Sequence, residues 1–410
     1  MQSLLILGRQ PDIGLAELES LYGSDKLKLL TKQSVLVDID PCLLAFKRLG
    51  GSIKFAKLLT ELDTDKWQDV IDFLAKSAPD HTKAMPNGKM NLGISAYGYD
   101  IKINEMSKSA LKIKRAIQTT GRNVRIVPNK EQALNSAQVI HNKLTSQKSW
   151  ELLIIKSDNS TYIAQTVMVQ DINSYAKRDH ARPSRDARVG MLSPKLAQII
   201  INLANGQLKE AELESICDQP ASSVQIPKLN RTILDPFCGT GVLLQEALLM
   251  GYKAIGSDIN PRMVKATEDN LDWLNKHFKT GHDKHPIDTA DATINLWPKF
   301  DILASETNLG PPFSQIPTRP QLAEAIKDTD RLLSEFLKNI AKQTKPGFRL
   351  CLAVPAWQVA PNNFQFLPLI DQIPNMGYNF VDLKWAKRER LIYYRPNQIV
   401  ARQLLILIRK

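Results

Sequence analysis

Apolar residues recur along this chain at two spacings, and the way the two alternate changes near its middle. Leu4 to Leu7 is a short apolar run of strand type, and residues 13–22 follow at helical spacing, so the chain opens with a strand leading into a helix. The pairing recurs: residues 34–39 alternate as a strand, 41–49 read as a short helix opened by Pro41, and 54–62 are apolar enough for another strand. Trp67, Val70, Ile71 and Leu74 then mark one face of an amphipathic helix over 65–77. Together these predict a small α+β unit over residues 1–80.

Residues 81–91 have little periodicity and carry Pro86, Asn87 and Gly88, the composition of a connection. Beyond them the pattern predicts a strand over 91–97, a basic helix over 107–120 ended by Gly121, a strand over 123–127 and a helix over 131–144. Two strands, 151–157 and 161–170, are joined by a turn at Asp158-Asn159. This second α+β unit covers 81–172, and the polar, cationic stretch after it places the main linker at 173–190. Ser193 is positioned to cap a helix through Leu203, and from there strands at 232–234, 253–257, 287–289, 301–304 and 349–354 are separated by helical segments. Alternation of this kind over 191–410 predicts an α/β unit with a mostly parallel sheet covered on both faces. Residues 380–385 and 403–408 add two strands with no helix between them, an antiparallel edge.

Charge changes this picture by adding a partner. The 410 residues carry a formal net charge of +12, which draws polyanions, nucleic acid being the commonest; a basic enzyme of another kind is the competing reading. The four cysteines, Cys42, Cys217, Cys238 and Cys351, stand singly, so neither a zinc site nor a disulfide framework is expected, and a reducing cytoplasm fits best. The six histidines do not cluster, and no metal is expected. The apolar run Leu4 to Leu7 is too short for a signal or a membrane span, so no membrane partner is expected.

The central chemical signal is Thr232-Ile233-Leu234-Asp235-Pro236-Phe237-Cys238-Gly239-Thr240-Gly241, a strand running into a glycine turn and then a helix from Val242 to Met250. Glycines there let a ligand approach the backbone. Asp258 ends the next strand, where a carboxylate can accept both hydroxyls of a ribose, and Asp291, with the Ala292 backbone, can accept from an adenine amino group. These positions describe an adenosine-shaped site. A dinucleotide fingerprint would need glycine where Leu244 stands, and a P-loop would need lysine and a hydroxyl residue where Val242 and Leu243 stand.

DPFCGTG followed by GSDINPRMVKATEDNL resembles the first two motifs of the class I amino-group methyltransferases. RPSRDARVGMLSPKLAQIIINLA resembles the lead-in segment of the THUMP-containing tRNA guanosine N2-methyltransferases. LLILGRQPDIGLAELESLYG, NLGISAYG, LKIKRAIQTTGRNVRIV, SAQVIHNKL and YIAQTVMVQDINSYAKRD resemble their front half in the same order. The resemblance implies a ferredoxin-like domain over 1–80, a THUMP RNA-binding domain over 81–172, and a Rossmann-like methyltransferase domain over 191–410. It implies S-adenosylmethionine as cofactor, held at Leu192, Ser193, Asp235, Pro236, Gly239, Gly241, Asp258, Ile259, Asp291 and Ala292, and tRNA as substrate, the tenth nucleotide being the family's usual target. A small activator protein is left open as a further partner.

In that family the fourth sheet strand ends in Asp-Pro-Pro-Tyr-Gly, and aligning by the strand places Glu306-Thr307-Asn308-Leu309-Gly310 over it. The resemblance then makes Glu306, Thr307, Asn308 and Leu309 the catalytic loop, with Glu306 accepting from the substrate amino group, which is chiefly a matter of positioning. Thr307 and Asn308 replace both prolines and Leu309 the stacking aromatic; Asn308 is expected to stand in for the lost carbonyl geometry and Phe313 to supply the stacking. A second register over Gly310-Pro311-Pro312-Phe313 restores prolines and aromatic but loses the acid. For RNA, Lys112, Lys114, Arg115, Arg122 and Arg125 concentrate charge with Lys108, Lys143 lies on the next helix, and Arg182 and Arg185 lie in the linker with Lys177, Arg178 and Arg188. Arg388, Arg390, Tyr393, Tyr394 and Arg395 form a basic, aromatic cluster suited either to a flipped nucleotide or to packing. Three outcomes stay open: a tRNA guanosine methyltransferase, an enzyme acting on another RNA or an adenine amino group, and a non-catalytic RNA-binding protein that keeps cofactor affinity.

Overall fold

The computed structural model describes residues 2–185, 192–209, 212–213, 229–280, 285–313, 315–361, 363–395 and 398–410; Cys217 and Arg188, named above, lie outside them. The chain forms two compact units, each built around one sheet. Unit 1 comprises Met1–Pro11, Asp25–Lys47 and Ser52–Asn173; unit 2 comprises Asp12–Ser24, Arg48–Gly51 and Ser174–Lys410.

In unit 1 the strands are β1 (Ser3–Leu7), β2 (Leu27–Thr31), β3 (Ser34–Val37), β4 (Ser52–Leu62), β5 (Met90–Tyr97), β6 (Val124–Ile126), β7 (Trp150–Ser157) and β8 (Ser160–Val169). They form one sheet in the order β2-β3-β1-β4-β8-β7-β5-β6, so the sheet runs across residues 80 and 81, where a boundary was expected. The long β4 makes this continuity: it pairs with β1 on one side and with β8 on the other. Alternation sends Leu92, Ile94, Leu152, Ile154 and Ile163 to one face, where they pack with Trp67, Val70 and Ile71 and with Met106, Ala110, Ile113 and Ile117. Those two sets belong to helices α2 (Trp67–Lys83) and α3 (Ile103–Gln118), which follow α1 (Pro11–Tyr22) in the chain. Within the sheet, Lys54 pairs with Glu151, whose carboxylate also accepts from Ser95 at 2.6 Å and Thr166 at 2.7 Å, so the buried charge keeps its partners.

Three predicted helices of the front half come out differently. Residues 41–49 make two single 3-10 turns, Pro41–Leu43, capped by Asp40 through the amide of Cys42, and Phe46–Arg48. The helix expected over 131–144 shrinks to α4 (Ser136–His141), since Asn129 and Gln132 tie the residues before it to the carbonyls of Ile94 and Ile101. The helix expected over 65–77 runs on through Pro79 to Lys83. The polar stretch read as linker begins with a helix, α5 (Ile172–His180), held by Arg178 on the buried carboxylate of Glu246 at 2.7 Å.

Unit 2 has parallel strands β9 (Thr232–Asp235), β10 (Lys253–Asp258), β11 (Ile287–Thr289), β12 (Ile302–Glu306) and β13 (Arg349–Ala360), then β14 (Asn363–Gln365), β15 (Tyr378–Phe380), β16 (Ile392–Tyr393) and β17 (Val400–Arg409). Their order, β11-β10-β9-β12-β13-β17-β15, reverses direction on either side of β9, and β17 runs antiparallel to both its neighbours, β13 and β15. A glycine turn after β9 therefore stands at a topological switch point, the place where such sheets bind ligands. The helices are α6 (Pro194–Asn205), α7 (Val242–Leu249), α8 (Pro261–Phe278), α9 (Arg319–Gln343) and α10 (Leu369–Gln372). Ser193 caps α6 through the amide of Leu196, and Asn260 caps α8 through that of Arg262. Helix α1 belongs here: Ile13 and Ala16 join the core of Leu196, Ile200, Leu203 and Ile233. The strand expected over 380–385 stops at Phe380, because the amides of Lys384 and Trp385 donate to the carboxylate of Glu19.

Candidate active site

Strand β9 delivers Asp235 to the carboxyl edge of the sheet, and the chain then turns sharply at two glycines. Gly239 has φ +53° with open space where a Cβ would lie, so ligand can approach its backbone; Gly241 has φ +78° and sits 2.8 Å, Cβ to Cγ2, from Thr267 on α8. Thr267 donates to the carbonyl of Gly239 and Asn270 to that of Thr240, so helix α8 holds the turn open from below.

A cavity of about 430 Å³ opens in front of this turn, within the usual range for small-molecule sites. It is lined by Leu192, Asp235, Pro236, Gly239, Asp258, Ile259, Asp291 and Ala292, and by Glu306, Thr307, Asn308 and Leu309. The structure thus brings together twelve positions the sequence had singled out along more than a hundred residues. Two others fall outside the lining: Gly241 opens α7 as its N-cap, and Ser193, busy as a cap, lies 3.4 Å from the Tyr393 hydroxyl. Phe237, Cys238, Asn260, Met263 and Leu332 line the cavity without having been foreseen. Phe313, expected to stack on a base, is partly buried against the core of Leu234, Leu303 and Phe336.

Asp258 accepts from the amide of Gly239 with Oδ2 at 3.0 Å and from that of Asn260 with Oδ1 at 2.9 Å. These bonds fix both oxygens at the cavity wall; burial pushes the carboxyl upward in pKa while the two amides oppose it. Asp291 accepts from the amide and hydroxyl of Thr293 with Oδ1 alone. The donor set therefore suits a nucleoside: a carboxylate at each end, apolar Ile259 and Met263 beside them, and no cation to bind a phosphate among the described lining residues. Asp235, only 2% exposed, accepts from the Ser305 hydroxyl at 2.6 Å, and burial pushes its carboxyl up to about 7.

At the end of β12 the Glu306 side chain is 16% exposed and pairs with Arg402, Oε1 to Nε at 2.8 Å. Burial raises the proton affinity of Glu306 and the guanidinium opposes it. Thr307 is buried and its hydroxyl donates to the Ala353 carbonyl at 3.3 Å, Asn308 Oδ1 accepts from the Gly310 amide at 2.7 Å, and Leu309 is 4% exposed.

Against known families, residues 226–364 match the RMKL-like methyltransferase domain. That segment is a methyltransferase domain. Its curated relatives include the tRNA (guanine(10)-N2)-dimethyltransferase of Methanothermobacter thermautotrophicus, 28% identical over 216 residues, 52% of this chain and 53% of that one. The enzyme of the same name from Methanocaldococcus jannaschii is 33% identical over 123 residues, 30% of this chain and 28% of that one. The chain spans about half the length, or less, of these relatives. The crystal structure of TrmN from Thermus thermophilus superposes over the whole of both chains with a TM-score of 0.51 at 14% identity, which shows a shared fold.

The residues expected to touch RNA are distributed between the methyltransferase unit and unit 1. On α3, Lys112 and Arg115 are exposed with Lys108, Lys114 is half-buried, and Lys112 pairs with Asp72. Arg125 on β6 and Lys143 after α4 are exposed. Arg122 is committed elsewhere: its guanidinium donates to the carbonyls of Thr82, Met85 and Pro86 and so closes the end of α2. In the methyltransferase unit Arg185 is exposed, but Arg182 is 3% exposed, because Asn270 binds the backbone of Ser184 and draws the segment in. Arg402 was missed altogether. Its signal was present as a cation on the apolar face of β17, where Leu404 and Ile406 follow it.

Among the described residues no three histidine, cysteine or acidic side chains group as a metal site would require, and no helix is long and apolar enough to cross a membrane.

Proposed function

We propose that this protein is an S-adenosylmethionine-dependent tRNA methyltransferase acting on the exocyclic N2 of a guanosine, with the tenth nucleotide, the position its relatives are named for, as target. The observation that carries the reading is Glu306, an acid at the carboxyl end of β12 that shares one cavity with Asp258 and Asp291. Asp258 would hold the ribose of the cofactor and Asp291 its adenine amino edge, while Leu192 and Ile259 exclude water from the ring faces. When bound there, S-adenosylmethionine supplies an electrophilic methyl group.

The remaining work falls to the chain. An exocyclic amine on guanine is a poor nucleophile because its lone pair is delocalised into the ring. Glu306, by accepting one of its hydrogens, fixes the nitrogen in the cavity and turns the lone pair out of that delocalisation; positioning of this kind is worth roughly 7 to 11 kcal/mol when complete. In this reading residues 1–80 and 81–172 serve as ferredoxin-like and THUMP portions that hold the RNA, through Lys112, Lys114, Arg115, Arg125 and Lys143, with Arg185 contributing from the other unit.

The test is transfer of a labelled methyl group to bulk tRNA followed by nucleoside digestion. N2-methylguanosine or its dimethyl form is expected. Another methylated nucleoside would move the assignment to a different base, and no product despite measurable cofactor binding would support a non-catalytic RNA-binding protein, the reading to which the missing prolines and aromatic of the Glu306–Leu309 loop lend weight.

A further inference from the structure

Three strands set up an unusual reach across the sheet. On β12, Ile302 and Ala304 face the core of α6, so by alternation Glu306 points to that same face. On β17, Leu404 and Ile406 face it too, and Arg402 is next in the alternation. The two strands are not neighbours: β13 runs between them, with Ala353 opposite Glu306 on one side and Leu404 on the other, and Pro355 opposite Arg402. A large residue at 353 would fill the gap. Alanine leaves a channel over β13 through which the guanidinium crosses to the carboxylate.

We propose that Arg402 is the positioning residue of this site: it grips Oε1 of Glu306, fixes the carboxylate's rotamer, and leaves Oε2 as a charged acceptor for the amino group to be methylated. This rests on the methyltransferase reading above. A glutamate is one methylene longer than the aspartate of the related motif and has one more torsion to fix, and the prolines that would stiffen the loop are absent here. Arg402, itself 3% exposed and also bonded to Gln398, supplies the lost rigidity from a different strand.

The same contact favours charge on Glu306 over charge on Asp235. The charged and titratable groups facing Glu306 are Arg402 on β17 and Asp235 on β9; β13 presents Ala353, and Tyr393 on β16 stands opposite Arg402. Two carboxylates in one poorly solvated cavity disfavour each other's ionisation. Arginine next to one of them breaks the symmetry: it opposes the burial that raises Glu306, whereas Asp235 is bonded only to neutral donors.

The test compares wild type, Arg402→Met, Arg402→Lys and Glu306→Gln by infrared difference spectroscopy and by kinetics. Subtracting the Glu306→Gln spectrum isolates the Glu306 carboxyl band. At about pH 7 that band is expected to be ionised in wild type and in Arg402→Lys, and protonated in Arg402→Met. For Arg402→Met, kcat should fall about 100-fold with cofactor affinity kept, its acid limb should move to higher pH, and Arg402→Lys should restore the limb. A Glu306 that stays ionised in folded Arg402→Met, or a pH profile that does not move, overturns the proposal. A wild-type protein that methylates no RNA overturns the functional reading instead, and the infrared comparison still decides whether Arg402 holds the charge.

Discussion

The hydroxyl of Ser305 donates to Oδ1 of Asp235 across 2.6 Å, joining the ends of two neighbouring parallel strands. That bond only partly offsets burial, which leaves the Asp235 carboxyl at about 7. An aspartate in an unfolded chain titrates near ~3.9, so between about pH 4 and pH 7 the folded protein keeps a proton that the unfolded chain has released. The stability this group contributes is therefore present below about pH 4 and is lost as pH rises through about 7. Glu17, also pushed up to about 7 by burial, gives a slope of the same sign. Asp235→Asn is expected to flatten the fall of melting temperature with pH, and to melt above wild type at about pH 8. Thermal melts across that range check it; a curve parallel to wild type would mean that Asp235 does not hold the proton.

Asp258 gives a prediction about binding. Asp258→Ala removes the acceptor for a ribose and also leaves the Gly239 and Asn260 amides without their partner. With hydrogen bonds to charged groups worth about 1.5–3 kcal/mol each, cofactor affinity should drop by at least about 100-fold. Calorimetric titration with S-adenosylmethionine measures it, and an unaltered dissociation constant would strip Asp258 of this role.

How far the sequence reached depends on whether a residue's neighbours are near in the chain. Strands β9, β10, β12 and β13 were legible because parallel strands buried on both faces leave continuous apolar runs, and the turn after β9 because its glycines answer to local geometry. Every proposed catalytic residue from Glu306 to Leu309 reached the cavity, since a strand's end fixes where its next residues go. Strand β2 was missed, its two outward lysine and leucine positions hiding the alternation. Arg402 was missed for a different reason: its partner lies 96 positions away, and only the register of β13 makes them neighbours. Arg122 and Arg182 were read from charge alone, which does not tell a cation facing solvent from one spent on carbonyls or packed inward.

The glycine turn supplies a stability prediction. Gly241→Ala would place a Cβ 2.8 Å from Thr267 Cγ2 at a φ of +78°. The left-handed backbone alone costs about 1–2 kcal/mol, and the contact adds to it. Adding Thr267→Ser removes Cγ2 while keeping the hydroxyl bond to Gly239, so the double variant should recover only the part of the steric cost due to Cγ2. Urea unfolding of the single and double variants checks this; full recovery would mean the backbone carries no strain.

Two arginines of unit 1, three residues apart, should behave oppositely. Arg122→Ala removes the guanidinium donor from three carbonyls at the end of α2, of which that of Thr82 keeps the Met85 amide, and is expected to cost about 1–3 kcal/mol of stability. Arg125→Ala removes an exposed cation and should leave stability within about 0.5 kcal/mol, while the slope of log affinity for tRNA against log salt falls by about 1. Urea melts and filter binding at several salt concentrations separate the two. Equal stability losses would contradict the assigned contacts.

Helix α1 is made near the start of the chain, yet its Glu19 is held by the amides of Lys384 and Trp385, the first of them 365 positions later, and Glu17 by Gly50, Gly51 and Asn202. During synthesis its contacts must wait until residues 384 and 385 have left the ribosome. A gene fragment cut at the apparent halfway point would strand the helix on the wrong piece, leaving Ile199 and Leu203 wet and the remainder prone to clump. A piece carrying residues 191–410 alone would thus lack one wall of its own core.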